Sequence, residues 1–326
     1  NWGFTNIHTV PEQSIPNGDF PTVASANPEE PAAFKMALDL ARKIDADLAM
    51  ACDPDGDRIG IAVKNDAGEW TLLNGNQTNI IFTEYIIRRK KELNQLKGGE
   101  YTVKTIVTTE LIKDIAEKNH IICYDVYTGF KWIADIIRKE GGEKFIGGGE
   151  ESFGYMPGAF TRDKDGVSAT SLMAEIAAWV KMQNKTLYSF LKEIYAKYGF
   201  SQERMIYIVR KGLSGEIKAM MEEFRHNTPK EINHSPVVLK KDYLSLEATN
   251  LQTGEKTHLD FETKSDVLQF FLADGSKISV RPSGTEPKIK FYFEARTQMK
   301  DINDYERAQQ EANARIDAII EYLKIQ

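Results

Sequence analysis

Asp-Pro-Asp-Gly-Asp-Arg at residues 53–58, the acidic loop, is the stretch that decides how the first part of the chain folds. An apolar, strand-like run leads into it at residues 46–52, and a second leads away at residues 59–63. This pattern predicts a strand–loop–strand unit whose loop carries the polar groups. A lone Asp-x-Asp is usually a solvated turn, but three acids, a glycine and an arginine favour a metal site.

The carboxylates of the acidic loop occupy every second position, so their side chains point the same way if the backbone is extended. They repel one another unless a cation neutralises them, and a set of oxygen ligands selects magnesium or calcium. The predicted metal ligands are Asp53, Asp55 and Asp57. Gly56 permits a tight turn, and Arg58 is placed to meet an anion beside the metal.

Two other metal motifs can be compared with the acidic loop. A calcium EF-hand needs a Glu at its twelfth position, which is Lys64 when the count starts at Asp53. A haloacid-dehalogenase-type phosphatase also carries Asp-x-Asp after an apolar strand. It usually continues Gly-Thr, however, whereas Asp57 and Arg58 follow here. A magnesium-dependent phosphatase therefore stays open as an enzyme of a different class.

Length and composition limit the class of protein to which the chain can belong. The 326 residues predict two or three domains, and a hydrophobic content of 41% is enough for real cores. A net charge of -6 and a pI of about 5.6 argue against a nucleic-acid partner. Only Cys52 and Cys123 are cysteines, which predicts a reducing compartment. With no secretory signal or long apolar run, we expect a cytoplasmic protein without a membrane partner; its oligomeric state stays open.

Apolar periodicity and turn signals predict three domains. Residues 1–70 form an α/β domain with the acidic loop, residues 71–199 a second α/β domain, and residues 200–326 an α+β domain. The predicted fold class is thus α/β, with two α/β domains whose mixed sheets are covered by helices and an α+β C-terminal domain. In the first domain, Asn27 is predicted to cap a helix with Pro28 in its first turn.

A second polar loop, the basic loop, lies at residues 281–288 between alternating strands at residues 277–280 and 289–293. An arginine can bind two phosphate oxygens at once, and a glycine lets backbone N–H groups turn toward an anion. Two hydroxyls and a lysine add further donors. The predicted phosphate-binding residues are Arg281, Ser283, Gly284, Thr285 and Lys288.

A third segment, the glycine-rich loop at residues 147–154, carries groups that suit sugar hydroxyls, which both donate and accept hydrogen bonds. Glu150 and Ser152 lie on the same side if this loop is extended. The charged turn at residues 162–166 is a weaker signal. The sequence contains no Walker-type phosphate loop and no dinucleotide fingerprint.

Taken in order, these loops resemble those of the α-D-phosphohexomutase family over nearly the whole chain. Residues 53–58 look like its magnesium loop, residues 149–154 like its sugar-binding loop and residues 281–287 like its phosphate-binding loop. Residues 128–131, Thr-Gly-Phe-Lys, also match the family ahead of the sugar loop. Many members have glycine where Pro54 stands, and this difference leaves the preferred phosphosugar open.

The resemblance implies a phosphoglucomutase that interconverts glucose 1-phosphate and glucose 6-phosphate through a phosphoserine and a bisphosphorylated sugar. Phosphomannomutase and phosphopentomutase activities stay open. The implied cofactors are Mg²⁺ and glucose 1,6-bisphosphate as activator. Arg58 is implied to assist phosphoryl transfer, and Lys164 is a candidate for proton transfer. The substrate-binding residues that it implies are Thr128, Gly129, Lys131, Glu150, Ser152, Arg281, Ser283, Gly284, Thr285 and Lys288.

The resemblance covers the second, third and fourth domains of the family. The phosphoserine segment of the first domain, Thr-Ala-Ser-His-Asn-Pro, is not found in these 326 residues. A similar run at residues 24–28 lacks the histidine and lies too close to the acidic loop, so Ser25 is given no nucleophilic role. We expect the chain to be a piece of a longer enzyme without mutase turnover of its own. A phosphosugar-binding fragment without activity is the alternative.

Overall fold

The structure is a computed structural model that describes residues 3–209, 214–283 and 287–325. Backbone contacts divide the chain into two units, Asn1–Ile194 and Tyr195–Gln326. Helices and several sheets alternate through the chain, which confirms the predicted α/β fold class.

The acidic loop lies in an antiparallel hairpin of the first unit. The elements around it are α1 (Lys35–Lys43), β1 (Leu48–Cys52), β2 (Ile59–Lys64) and β3 (Trp70–Leu73). The strands pair in the order β1-β2-β3, and Cys52 pairs with Ile59 at the base of the loop. The segment before α1 covers this sheet so closely that a Cβ on Gly60 would lie 2.7 Å from the Phe34 ring.

The first helix begins later than the sequence predicted. Asn27 Oδ1 accepts a hydrogen bond from Glu29 N at 3.1 Å, which forms a turn and not a helix cap. Glu30 is extended, with φ -93° and ψ 124°, because the ring of a following proline disfavours the helical region. A 3-10 helix then runs over Pro31–Phe34, and α1 follows it. The predicted helix start at Pro28 is therefore wrong.

The rest of the first unit alternates strands and helices. Its elements are α2 (Gly75–Glu92), β4 (Tyr101–Thr105), α3 (Leu111–Lys118), β5 (Ile122–Val126), α4 (Phe130–Glu140), β6 (Phe145–Gly149), β7 (Tyr155–Met156), α5 (Gly166–Lys181) and α6 (Leu187–Tyr198), whose last residues belong to the second unit. The strand order is β5-β4-β6-β7, in which β4 is parallel to β5 and β6 while β7 is antiparallel to β6.

Local sequence fixes the helix starts around the glycine-rich loop. Asn74 and Gln77 form a reciprocal capping box at the start of α2. Asp165 caps α5, and its Oδ1 accepts from Val167 N at 3.0 Å. Gly129, with φ 117°, immediately precedes α4, in a conformation that suits glycine. These caps set where the polar segments between strands and helices begin and end.

The second unit is mainly one antiparallel sheet with helices. Its elements are β8 (Phe200–Val209), α7 (Ser214–His226), β9 (Glu231–Ile232), β10 (Ser235–Asp242), β11 (Glu247–Asn250), β12 (Lys256–His258), β13 (Leu268–Leu272), β14 (Lys277–Pro282), β15 (Lys288–Thr297) and α8 (Tyr305–Tyr322). The strand order is β12-β11-β10-β13-β14-β15-β8, and β9 pairs with β10. Among the described residues, no helix is both long and apolar enough to cross a membrane.

Candidate functional site

The carboxylates of the acidic loop converge on one point. Asp53, Asp55 and Asp57 each offer an oxygen such that all lie within 4.8 Å of one another. Asp53 Oδ1 accepts hydrogen bonds from the backbone nitrogens of Asp57, at 3.1 Å, and Arg58, at 3.0 Å. Gly56, with φ 69°, donates its N–H to the Asp53 carbonyl at 3.0 Å. The loop is thus folded back onto its first residue, which holds the three acids together.

This donor set fits a divalent cation. Asp57 Oδ1 is buried and has no hydrogen-bond partner among the described residues. A buried carboxylate oxygen in that state is unfavourable unless a ligand satisfies it. Oxygen donors around a common point are the ligands that Mg²⁺ takes, with water completing its shell. Asp53, Asp55 and Asp57 could therefore hold Mg²⁺.

Two basic side chains neutralise part of the acidic loop. Lys164 Nζ lies 2.6 Å from Asp57 Oδ2. Arg58 contacts two carboxylates, with Nη1 3.0 Å from Glu29 Oε1 and Nε 3.8 Å from Asp53 Oδ2. An anion that binds Arg58 must therefore join or displace these contacts. Burial lowers the pKa of Lys164, but the hydrogen bond to Asp57 and the negative charge of Asp57 raise it by a larger amount. The pKa of Lys164 therefore lies above its ordinary value.

Main-chain contacts join the acidic loop to the glycine-rich loop, although the two are far apart in the sequence. Arg58 forms an antiparallel bridge with Gly154, and Ile59 N donates to Phe153 O at 3.0 Å. From the start of α5, Gly166 N donates to Gly56 O at 3.0 Å. The first unit therefore brings two of the predicted binding loops into direct contact.

Glycine is required where these loops meet. A Cβ on Gly166 would lie 2.6 Å from the carbonyl oxygen of Gly56. A Cβ on Gly154 would lie 2.7 Å from Cδ of Lys164. Both distances are well inside van der Waals contact, so a side chain at Gly166 would push α5 away from the acidic loop, and one at Gly154 would displace the Lys164 side chain.

Glu150 is buried within the glycine-rich loop and is oriented by hydrogen bonds. Its Oε1 accepts from Gly129 N at 2.5 Å, and its Oε2 accepts from Ser152 Oγ at 3.3 Å. Burial, and then the charge of Glu151, raise the pKa of Glu150 by more than its hydrogen bonds and Lys164 lower it. The structure thus brings together Gly129, Glu150 and Ser152, as one binding surface would require.

No contact with Glu150 or Ser152 is described for the other predicted sugar-binding residues of this region, Thr128 and Lys131. Thr128 is half-buried and lies directly before Gly129, while Lys131 is exposed on α4 with Nζ 5.0 Å from the centre of the Trp132 ring. Glu151 takes a separate position, and its Oε2 accepts from Thr108 Oγ1 at 3.1 Å. Of the adjacent acids, Glu150 is therefore the one turned toward Gly129 and Ser152.

The basic loop joins β14 to β15 in the second unit. Arg281 is half-buried near the end of β14, and Ser283 N donates to Lys288 O at 2.7 Å. Lys288 Nζ lies 4.9 Å from the centre of the Tyr207 ring on β8. Two other predicted residues lie outside the described residues: Gly284 and Thr285.

Sequence reasoning missed two residues that hold the acidic loop. Glu29 lies directly after Asn27 and Pro28, where the sequence predicts a helix start, but its carboxylate contacts Arg58. Gly154 was noted only as part of a glycine-rich segment, but it packs against the stem of Lys164. Neither an acid in a turn nor a glycine in a loop indicates which distant residue it contacts, so sequence spacing could not reveal either contact.

Sequence models of one family match most of the chain. The phosphoglucomutase/phosphomannomutase alpha/beta/alpha domain II matches residues 1–68, and domain III matches residues 74–198. The C-terminal domain of the same family matches residues 228–316. The matches follow the family's own domain order.

Individual relatives agree. The phosphoglucomutase of Staphylococcus aureus (strain MRSA252) is 36% identical over 316 residues, which are 96% of this chain and 55% of that protein. The phosphoglucomutase of strain USA300 is 37% identical over 292 residues, 89% of this chain and 52% of that protein. This chain therefore spans about half the length of the curated relatives that it matches.

Solved structures share the fold. The open form of parafusin, a phosphoglucomutase from Paramecium, aligns with a TM-score of 0.61 at 19% identity, over 89% of this chain and 49% of that one. A phosphoglucomutase/phosphomannomutase family protein from Burkholderia thailandensis aligns with a TM-score of 0.56 at 17% identity, over 91% and 53%.

Proposed function

The chain belongs to the phosphoglucomutase/phosphomannomutase family, the α-D-phosphohexomutases, and we propose that it forms the metal-, sugar- and phosphate-binding part of a phosphoglucomutase. Such an enzyme interconverts glucose 1-phosphate and glucose 6-phosphate through a phosphoserine and a bisphosphorylated sugar. The observation that carries the proposal is the direct contact between the acidic loop and the loop of Glu150, through Arg58 and Gly154. The identity to the Staphylococcus aureus phosphoglucomutases supports this substrate over mannose or pentose phosphates.

In this proposal, Asp53, Asp55 and Asp57 hold Mg²⁺. When bound, the cation would neutralise negative charge on the phosphoryl group that is transferred. Arg58 assists by placing a guanidinium beside the same group. Lys164 is the candidate to give a proton to, or take one from, a sugar hydroxyl. Its position against Asp57 supports a role at the transfer centre.

The glycine-rich loop is proposed to bind the sugar. The Glu150 carboxylate can accept from sugar hydroxyls, and Ser152 can both donate and accept. The backbone of Gly129 fixes the Glu150 carboxylate, so the acceptor is oriented before the sugar arrives. Thr128 and Lys131, on the same segment as Gly129, are proposed to contact the sugar or its phosphate.

The basic loop is proposed to bind whichever phosphate is not reacting. Arg281 and Lys288 supply charge, and Ser283 supplies a hydroxyl and lies at the closure of the hairpin. The roles of Gly284 and Thr285 rest on the family motif alone.

The same proposal covers the wider properties of the chain. The ranges matched by the family support domains at residues 1–70, 71–199 and 200–326. Glucose 1,6-bisphosphate is the proposed activator and a small phosphosugar the proposed partner, while the net charge of -6 argues against a nucleic-acid partner. A cytoplasmic location remains a proposal, drawn from cysteine usage.

The binding part of the proposal is tested by calorimetric titration of glucose 1-phosphate into the 326-residue chain. Charge-assisted hydrogen bonds contribute about 1.5–3 kcal/mol each, so Arg281→Ala should weaken binding roughly tenfold to a hundredfold. Lys300→Ala removes one exposed charge from the same unit outside the basic loop and serves as the matched control. Equal affinity for wild type and Arg281→Ala would remove the basic loop from the site.

The catalytic part is tested by assaying interconversion of glucose 1-phosphate and glucose 6-phosphate with Mg²⁺ and glucose 1,6-bisphosphate supplied. These 326 residues carry no phosphoserine motif, so no turnover is expected from this chain alone. Turnover that is lost in Ser25→Ala would show that Ser25 is the nucleophile after all. Hydrolysis of a simple phosphate ester, abolished in Asp53→Asn, would favour a phosphatase.

A further inference from the structure

Lys164 and the proposed cation share one carboxylate. Lys164 Nζ lies 2.6 Å from Asp57 Oδ2, while Asp57 Oδ1 is buried without a hydrogen-bond partner among the described residues. A cation at the acidic loop would therefore bind a carboxylate that already forms an ion pair with the ammonium group of Lys164. Two cations drawn to one carboxylate repel each other, and each weakens the hold of the other.

Neighbouring residues confine the aliphatic part of the Lys164 side chain, so the fold itself holds the ammonium group against Asp57. A Cβ on Gly154 would lie 2.7 Å from Lys164 Cδ, and Lys164 Nζ lies 5.7 Å from the centre of the Phe130 ring. Two residues further along, Gly166 N donates to Gly56 O at 3.0 Å, which fixes the backbone beside the acidic loop. The side chain is 20% exposed, so solvent screens its charge only in part.

Other acids near Lys164 show where its ammonium group would go on leaving Asp57. Asp163 Oδ1 lies 3.8 Å away, but the Asp163 side chain is 72% exposed, and exposed ion pairs contribute little. Glu150 is buried in the adjacent glycine-rich loop, where its N–H donates to the carbonyl of Gly154 at 3.0 Å, and Gly154 is the residue that packs against the Lys164 side chain. A buried carboxylate is the stronger attraction, so the path leads toward the sugar-binding residues.

We propose that Lys164 and the divalent cation are antagonists at the Asp57 carboxylate, so that cation loading releases the ammonium group toward Glu150. This inference rests on the metal site of the proposed function. By reciprocity, the lysine lowers cation affinity by the same factor by which the cation weakens the lysine contact. Lys164 would then reach the sugar-binding residues only when the metal needed for phosphoryl transfer is in place.

The test measures Mg²⁺ binding to the 326-residue chain by calorimetry, without substrate. Removing a charge-assisted hydrogen bond that competes for a ligand should tighten binding by about tenfold in Lys164→Met. Lys164→Arg keeps the charge and should bind Mg²⁺ as the wild type does. Lys181→Met, which removes an exposed charge of the same unit that contacts Asp47, is the matched control and should also bind as wild type.

A second measurement follows Lys164 itself in wild-type protein. The ¹³Cε and ¹⁵Nζ signals of Lys164, assigned by their absence in Lys164→Arg, should shift as Mg²⁺ is added and reach a plateau with the calorimetric isotherm. Signals that stay unchanged at saturating Mg²⁺ would overturn the release. This measurement stands even if Lys164→Met fails to fold.

Asp55→Asn separates failure of the inference from failure of the metal site. If this variant loses Mg²⁺ binding while Lys164→Met binds no tighter than wild type, the antagonism is overturned and the metal site stands. If wild type and all variants bind no Mg²⁺, both the metal site and the antagonism are overturned.

Discussion

The acidic loop and the basic loop each connect two antiparallel strands, yet their described residues are held differently. Cys52 pairs with Ile59 at the base of the first, and Pro282 pairs with Ile289 at the base of the second. The acidic loop is also fixed by residues distant in the sequence, among them Lys164, Gly154 and Gly166. At the basic loop, the backbone bond that closes the turn runs between Ser283 and Lys288 of the hairpin itself.

Electrostatics explains this difference. Three carboxylates within a few ångströms destabilise the acidic loop unless backbone N–H groups and basic side chains offset their repulsion. Asp53 therefore accepts two backbone hydrogen bonds, and Lys164 and Arg58 contact the acids. The acidic loop is therefore part of the folded framework of the first unit, whereas the described ends of the basic loop lie on strands β14 and β15 and are joined by the Ser283–Lys288 backbone hydrogen bond.

The largest effect is expected where the acidic loop meets the start of α5. In Gly166→Ala, the new Cβ would lie 2.6 Å from the backbone oxygen of Gly56, which cannot move aside as a flexible side chain could. Overpacking of this kind should destabilise the first unit by about 3 kcal/mol. All the tryptophans of the chain lie within the first unit, so tryptophan fluorescence during urea unfolding measures that unit.

Gly18→Ala is the matched control, because Gly18 lies in the same unit and a Cβ there meets nothing within 4 Å. It should leave the fluorescence transition unchanged. If Gly166→Ala also left the transition unchanged, the acidic loop would not depend on α5, and the contrast between the two loops would fail.

A smaller loss of stability is expected from Asp53→Ala measured without metal. This change leaves the N–H groups of Asp57 and Arg58 without their acceptor, which should destabilise the first unit by about 1–2 kcal/mol. Asp53→Asn keeps an accepting oxygen and removes one repelling charge, so its stability should stay close to that of wild type. Urea unfolding with fluorescence detection compares the two variants.

Removing the arginine of the basic loop, in Arg281→Ala, should change stability less than Asp53→Ala does. Its change in unfolding free energy, followed by circular dichroism, should stay within about 0.5 kcal/mol, as for ordinary surface substitutions. A loss equal to that of Asp53→Ala would mean that the basic loop is as much a part of the framework as the acidic one.

The smallest effect concerns pH and Glu150. Burial raises the pKa of this carboxyl in the folded chain, with Glu151 adding to the rise and Lys164 opposing it. The folded state then binds a proton more tightly than the unfolded state, whose Glu pKa is about 4.3. Stability contributed by this group is therefore present below pH of about 4.3 and is lost as pH rises through the raised pKa.

Glu150→Gln removes that titration, so the variant should gain stability relative to wild type at pH 7 and lose the gain at pH 4. Thermal unfolding at the two pH values measures the difference. A stability difference that stays constant with pH would show that Glu150 ionises as an exposed acid does, and Glu150 would then be less enclosed than its 8% exposure indicates.

Local patterns were sufficient to predict much of the fold. The apolar runs on either side of the acidic loop predicted β1 and β2, and the alternating run at residues 277–280 predicted β14. The start of α1 was missed because Asn27 and Pro28 carry a helix-start signal that Pro31, three residues further on, overrides. The site residues remain a proposal, although the convergence of the acids fits the alternation from which they were predicted.

The groups that each loop offers, and the order in which the loops follow one another, could be predicted from the sequence because side-chain chemistry and strand alternation are local properties. Tertiary structure alone decided that Lys164 contacts Asp57, that Glu29 contacts Arg58, and that the acidic loop bridges Gly154. These partners are separated by many residues, and no periodicity relates them. They meet because the sheets and helices of the first unit pack in one arrangement, and that packing brings the charges of separate loops within contact distance.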